Sequence, residues 1–313
     1  MKIIIVGSNF GYKTFALLAK KIFKNSTISI VSPNIYKKKI PKFFLKFSNF
    51  NEALNYFNKE IDLLIVATLP QVQGKIINLL VKDDNICVKK IIFEKPISNN
   101  IQNSINKILL LKKKGTIILF NFIYPQIKCF QKCKRVFNKE NINKINYNWY
   151  FKQDYFRNKK RTWKTNPKKG GGLAYYYLIH IIYNLLLITN SQFRYKSVYK
   201  KFSKNIITSV CLELYKKNLK CLIDINVNSD INKHEILLFN KKSKVYSIHN
   251  KSKDWVKGFV DSKGAKYKNN RDDLVKKNMK KIKNNALNFL KQNFIYSLRA
   301  NYLVSKIYKI IKN

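Results

Sequence analysis

The chain has 313 residues, 46% of them hydrophobic and 14% aromatic, enough for two modest buried cores and too apolar for a disordered polycation. Its 63 Lys and Arg against 16 Asp and Glu give a formal net charge of +47, spread along the whole length instead of gathered on one tail. That spread, with Lys, Asn and Ile abundant together, fits an AT-rich coding bias better than a dedicated nucleic-acid binder, whose cations cluster.

In chain order, Lys2–Val6 predicts a buried strand, Gly7-Ser8-Asn9-Phe10-Gly11 a tight turn, and residues 14–23 a helix. A second strand follows over 27–32, stopped by Pro33, and a strand over 61–68, apolar from Leu63 to Ala67, as a parallel sheet buried on both faces requires. A helix over 71–81, a strand over 90–93, a helix over Ile101–Lys113 and a strand over 116–120 continue the alternation. Strand and helix in turn predict a doubly wound parallel sheet of the Rossmann kind over residues 1–121, with ligands at the carboxyl ends of the strands.

Beyond about residue 121 the pattern changes. A strand over 142–152, a basic loop, Gly170-Gly171-Gly172 and a long apolar helix precede strand-like runs such as 206–215 and 220–227. A helical tail over 271–313 breaks near Asn293. Residues 122–313 therefore read as a C-terminal α+β domain with a mostly antiparallel, open sheet for substrate binding and self-association. The apolar run 173–189 holds His180, Asn184 and four tyrosines, and it falls short of the ~20 apolar residues of a membrane span. Ile3-Ile4-Ile5-Val6 is too short for a signal-peptide core. Five cysteines, odd in number and without a CxxC pair, read as reduced thiols in a cytoplasmic protein. Cys129 and Cys133 have one-turn spacing, but no histidine or second pair completes a metal site.

The first turn stands between a strand and a helix, where backbone N–H groups face a pyrophosphate. It is irregular: Asn9 takes the second glycine position and Gly11 comes one residue early. Asn tolerates left-handed backbone angles, so Asn9 is compatible with the turn. The acid that bonds the ribose in NAD binders is absent at the end of the second strand, where Ser32 stands near Lys37-Lys38-Lys39. A hydroxyl with nearby cations favours NADP over NAD.

Gly7 to Gly11, Ala67-Thr68-Leu69-Pro70, Glu94-Lys95-Pro96, Arg161-Thr162-Trp163-Lys164, Gly170-Gly171-Gly172 and His180 come in this order and separation. Together they resemble the Gfo/Idh/MocA family of NAD(P)-dependent oxidoreductases. The resemblance implies that Gly7, Asn9, Phe10, Gly11, Ser32, Thr68, Pro70, Glu94 and Lys95 hold the cofactor. It implies that Lys95, Trp163, Gly172, Tyr176 and His180 meet a sugar, cyclitol or nucleotide-sugar type substrate, with Lys95, His180 and Tyr176 as the catalytic set. Lys95 would polarise the reacting oxygen, with Pro96 aiming it, and His180 would relay the proton. Alone, Lys95 reads as a surface lysine before a strand-ending proline, and His180 as a packed core histidine. The chain departs from the family where Tyr176 replaces an Asp or Asn, Tyr183 a frequent Asp, and Gln73 a histidine. Two other readings therefore stand beside an enzyme: a catalytically degenerate cofactor-binding relative such as a sensor, and a nucleic-acid binder suggested by charge alone. The expected partners are a small substrate of sugar type, drawn in all the better if anionic, and a second copy of the chain. No specific nucleic acid, membrane or metal is expected.

Overall fold

The computed structural model describes residues 1–159, 162–203, 206–252 and 256–312. Arg161 of the tryptophan segment lies outside them. The chain forms two compact units: Met1–Phe122 with Val275–Ile295, and Ile123–Leu274 with residues 296–312. The return of Val275–Ile295 to the first unit was not foreseen, because it depends on tertiary contacts and leaves no local pattern.

In the first unit six strands run β1 (Lys2–Val6), β2 (Thr27–Val31), β3 (Leu45–Phe47), β4 (Glu60–Val66), β5 (Cys87–Phe93) and β6 (Ile117–Phe120). They lie in the order β3-β2-β1-β4-β5-β6, and every pair is parallel. Ile5, Ile65, Ile92 and Leu119 stand in register across the sheet, each fully buried. Branched apolar side chains on both faces are what a sheet covered by helices on each side requires. Those helices are α1 (Leu17–Ile22), α2 (Phe50–Tyr56), α3 (Pro70–Lys82) and α4 (Ile101–Lys113). A wide π-type turn over Gly11–Ala16 precedes α1, so the first helical segment begins at Gly11 and not near residue 14.

The second unit carries α5 (Lys128–Lys139), β7 (Lys144–Lys152), α6 (Asp154–Asn158) and α7 (Ile179–Thr189), the last entered through a π-type turn over Leu173–Leu178. Its remaining strands are β8 (Arg194–Ser203), β9 (Ile206–Lys216), β10 (Leu219–Asn226), β11 (Asn228–Phe239), β12 (Lys244–Asn250), β13 (Phe259–Asp261) and β14 (Lys266–Tyr267). They join β7 in an eight-stranded sheet ordered β14-β13-β12-β11-β7-β10-β9-β8, antiparallel except for the β7–β10 pair. One face buries Ile145, Tyr147, Trp149, Val210, Leu212, Ile223 and Ile236. The alternate positions present Tyr150, Cys211, Asp224 and Glu235, with Tyr150 donating to Asp224 at 2.5 Å. Among the described residues no helix is long and apolar enough to cross a membrane.

The tail forms α8 (Arg271–Lys283) and α9 (Leu287–Lys312), so the break falls at 284–286, where Asn285 takes φ +48°, and not near Asn293. Asn293 lies inside α9, 1% exposed. Its Oδ1 accepts from the Phe120 backbone N–H at 2.8 Å, and its Nδ2 donates to the Phe120 carbonyl at 3.0 Å. The side-chain amide thus serves the open edge of β6 as another strand would. Asn293→Leu keeps the volume and strands both Phe120 groups, and should lower unfolding free energy by about 2–4 kcal/mol. A urea denaturation midpoint unchanged from wild type would contradict this.

Candidate functional site

In the first unit, the turns at the carboxyl ends of the strands are laced together by backbone. Gly7 N–H donates to Val31 O at 2.9 Å, Ala67 N–H to Val6 O at 2.9 Å, Glu94 N–H to Val66 O at 3.1 Å and Asn121 N–H to Phe93 O at 2.8 Å. Gly7 has φ +122°, and a Cβ there would run into the Ala67 carbonyl oxygen. Glycine is therefore required where the β1 turn meets the β4 turn. Phe10 already has helical angles and no side chain caps the segment that follows, the kind of helix start that suits an anion.

Beside this turn, Ser8 and Ser32 share a hydroxyl–hydroxyl hydrogen bond of 2.8 Å. The Lys38 ammonium donates to Ser8 O at 3.2 Å and to Asn9 Oδ1 at 3.0 Å. Of the three lysines at 37–39, Lys38 alone is half-buried; its neighbours are exposed. The ends of β1 and β2 thus present two hydroxyls, an amide and a cation in one cluster. Thr68 is half-buried in the β4 turn, and Pro70 begins α3 at a position where its missing N–H costs nothing.

The Glu94-Lys95-Pro96 segment leaves β5 with a cis Lys95–Pro96 peptide and is held on both sides. Glu94 Oε1 accepts from Asn121 Nδ2 at 2.6 Å, and Asn121 Oδ1 accepts from Asn278 Nδ2 at 2.9 Å. Pro96 O accepts from Gln73 Nε2 at 2.9 Å, and Gln73 is fully buried. Gln73, which stands where the resembling family has a histidine, is thereby a brace for the loop that carries Lys95. Lys95 itself is half-buried. Asn121 and Asn278 were missed, since their pairing joins residues 157 positions apart.

In the second unit, a Cβ on Gly171 would overlap the carbonyl of Trp163, and one on Gly172, at φ +77°, would meet the Pro167 ring at 2.9 Å. The protein's own 163–167 segment, which packs on the start of the long helix, fills the space beside Gly171 and Gly172. Trp163 lies edge-on to Tyr176 at 5.4 Å between ring centroids, and the Lys164 ammonium stands 5.3 Å from the Tyr176 ring. Trp163 and Tyr176 are half-buried, so the structure brings together two of the residues assigned to substrate.

His180 is 3% exposed. Its ring lies edge-on to Tyr124 at 5.3 Å and to Trp149 at 6.3 Å. One turn further along α7, Asn184 Nδ2 donates to the Tyr147 hydroxyl at 3.0 Å, which lies 2.9 Å from His234 Nε2. His234 stacks on Trp149 at 4.7 Å. Asn184 Oδ1 and His234 Nδ1 are buried without a protein partner among the described residues. Tyr183, in place of a frequent Asp, is 1% exposed and belongs to the core beside Tyr296. Burial pushes the Cys129 and Cys133 thiols up, so both are inert packing groups at neutral pH. Among the described residues no group of three or more His, Cys, Asp or Glu could hold a metal ion.

Burial also disfavours the His234 imidazolium and pushes its pKa down to about 3. The unfolded chain takes up this proton below about pH 6.5 and the folded one does not, so stability present above that pH is lost as pH falls toward 3. The loss is about 1.4 kcal/mol per pH unit. Between pH 7.5 and 5, wild type should therefore lose about 2 kcal/mol more than His234→Phe in urea denaturation. Equal losses would contradict the assignment.

No protein-family model matches the chain, and no curated protein matches it in sequence. Solved structures share its fold at low identity. A variant of KijD10, a 3-ketoreductase from Actinomadura kijaniata solved with TDP-benzene and NADP, superposes with a TM-score of 0.77 at 9% identity, over 99% of this chain and 97% of that one. The WlbA dehydrogenase from Bordetella pertussis, solved with NADH and UDP-GlcNAcA, gives 0.75 at 12% identity over 99% and 95%. A super-repressor mutant of Gal80p from Saccharomyces cerevisiae gives 0.79 at 14% identity over 99% and 95%. The architecture is thus the fold of these solved proteins, a parallel Rossmann-like sheet followed by a mostly antiparallel one.

Proposed function

We propose that this protein is an NADP-linked oxidoreductase that moves a hydride between the nicotinamide and a carbon of a sugar, cyclitol or nucleotide-sugar type substrate. The observation that carries the reading is the braced Glu94-Lys95-Pro96 loop, set one strand away from the Ala67 turn that closes on Gly7. Proteins of this fold solved with NADP and with NADH support a nicotinamide cofactor. The residues present fit that group: the segment entered from Gly7 and Phe10 begins without a side-chain cap, a setting suited to a pyrophosphate. The preference for NADP rests on Lys38, whose ammonium, with the Ser8 and Ser32 hydroxyls, suits a 2′-phosphate. Ser32 cannot offer the carboxylate that accepts a ribose 2′-hydroxyl.

Bound nicotinamide supplies or accepts the hydride. Lys95 donates to the reacting oxygen and stabilises alkoxide character there. His180 takes the hydroxyl proton in oxidation and returns it in reduction. Trp163, Gly172 and Tyr176 shape the substrate pocket, with the Tyr176 phenol as a hydrogen-bond donor. We also assign self-association to the open sheet face around Tyr150 and Asp224, and a cytoplasmic setting, which the unpaired state of all five cysteines supports.

A second reading, a cofactor-binding protein without turnover, is favoured by the deep burial of His180 and by Tyr176, which has no carboxylate. The same fold is found in a protein described as a super-repressor, a mutant of Gal80p. Lys38→Glu should weaken NADPH binding at least about tenfold and leave NADH nearly unchanged. In a screen of keto-sugar nucleotides followed by NADPH oxidation, Lys95→Ala and His180→Ala should each cost at least about a hundredfold in turnover. Parallel losses of NADPH and NADH binding would overturn the 2′-phosphate assignment. Normal cofactor binding with no turnover on any substrate would select the second reading.

A further inference from the structure

We propose that the first unit carries a second anion site, separate from the cofactor turn, that binds a short polyphosphate chain. A cavity of about 600 Å³ opens beside Met1 and Lys24, where the chain enters β1 and β2. This is the amino edge of the sheet. The glycine turn leaves the opposite end of β1, a five-residue strand away, or about 16 Å.

Five of the nine residues lining the cavity are lysines (Lys21, Lys24, Lys276, Lys280 and Lys283), and none is acidic. Across the chain 63 of 313 residues are Lys or Arg, so the lining is enriched well beyond the chain's general charge. Lys276, Lys280 and Lys283 follow one another at helical spacing on α8 and share a face. Like charges at that spacing repel and weaken a helix, a cost that a bound anion would offset. Lys283 donates to the Ile22 carbonyl at 2.8 Å and so covers the end of α1. The other four have no carboxylate partner among the described residues.

The chemistry of the lining selects the ligand. Of the apolar lining, Ile22 and Phe23 are only 6% and 2% exposed and Met1 carries no ring, so no open ring face awaits a nucleobase. Ammonium groups on flexible stems are point-charge donors suited to phosphate oxygens at varied angles. The volume falls in the range of small-ligand sites. A chain of two to four phosphates meets these conditions, and a single phosphate leaves most of the cations unused. The inference is independent of the oxidoreductase reading.

The test is calorimetric titration of the full chain with sodium tripolyphosphate at about 0.15 M salt, where diffuse surface attraction is screened. One saturable site per chain is expected. Lys276→Glu/Lys280→Glu should weaken it at least about tenfold. The charge-matched control Lys112→Glu/Lys113→Glu, on the exposed side of α4, should leave it unchanged, and Lys276→Gln/Lys280→Gln should weaken it to a lesser degree. ATP should bind this site no more tightly than tripolyphosphate. Equal weakening by the control pair, or non-saturating uptake, would reduce the effect to net charge and overturn the proposal. ATP binding that is much tighter and unaffected by the α8 substitutions would place the anion on the glycine turn, and would overturn it as well.

Discussion

The backbone ladder that extends one residue past the ends of β2, β1, β4, β5 and β6 is the constraint on which the first unit depends. Each turn starts from a hydrogen bond to the neighbouring strand, so Gly7, Ala67, Glu94 and Asn121 are fixed relative to one another before any side chain acts. The close approach of Gly7 to the Ala67 carbonyl is the tightest point of this arrangement. A side chain there would part the two turns and shift every group placed from them. A rigid scaffold that presents short polar loops is how this class of sheet builds ligand sites in general.

On that scaffold the chain solves local problems in its own way. Where a dinucleotide turn ordinarily has a second glycine, Asn9 receives the Lys38 ammonium. Where an imidazole stands in the resembling family, Gln73 supports the Pro96 carbonyl. The Asn278–Asn121–Glu94 chain ties the same loop to a helix that begins 150 residues after β6. In the second unit a comparable economy appears around Trp149, whose ring meets both His180 and His234. His234 is held neutral there by burial.

Much of the architecture is legible in the residues because the signals are strong. Apolar runs mark β1, the Leu63–Val66 part of β4 and the Ile91–Phe93 part of β5, and Ile101–Lys113 shows its helical period. The three half-buried residues of β3 carry no such signal, and α5 is so rich in lysine that its buried face of Cys129, Phe130 and Cys133 is easily overlooked. Asn293 misleads for a physical reason: a polar residue in a helix is a breaker only when its amide has no better partner, and here the partner lies on β6. The glycine triplet is legible as a place needing small residues, but what fills the space, the 163–167 loop, is a tertiary fact. Of the site, Lys95 and Ser32 follow from strand ends. Lys38 could be singled out from its neighbours only by its burial, and Asn121 and Asn278 only by their contact.

The most direct test of the central claim is a fluorescence titration of the full chain with NADPH, following quenching of protein emission. Micromolar, saturable binding is the predicted result. No binding at millimolar NADPH or NADH, with circular dichroism showing a folded protein, would contradict the account and leave the fold without its cofactor.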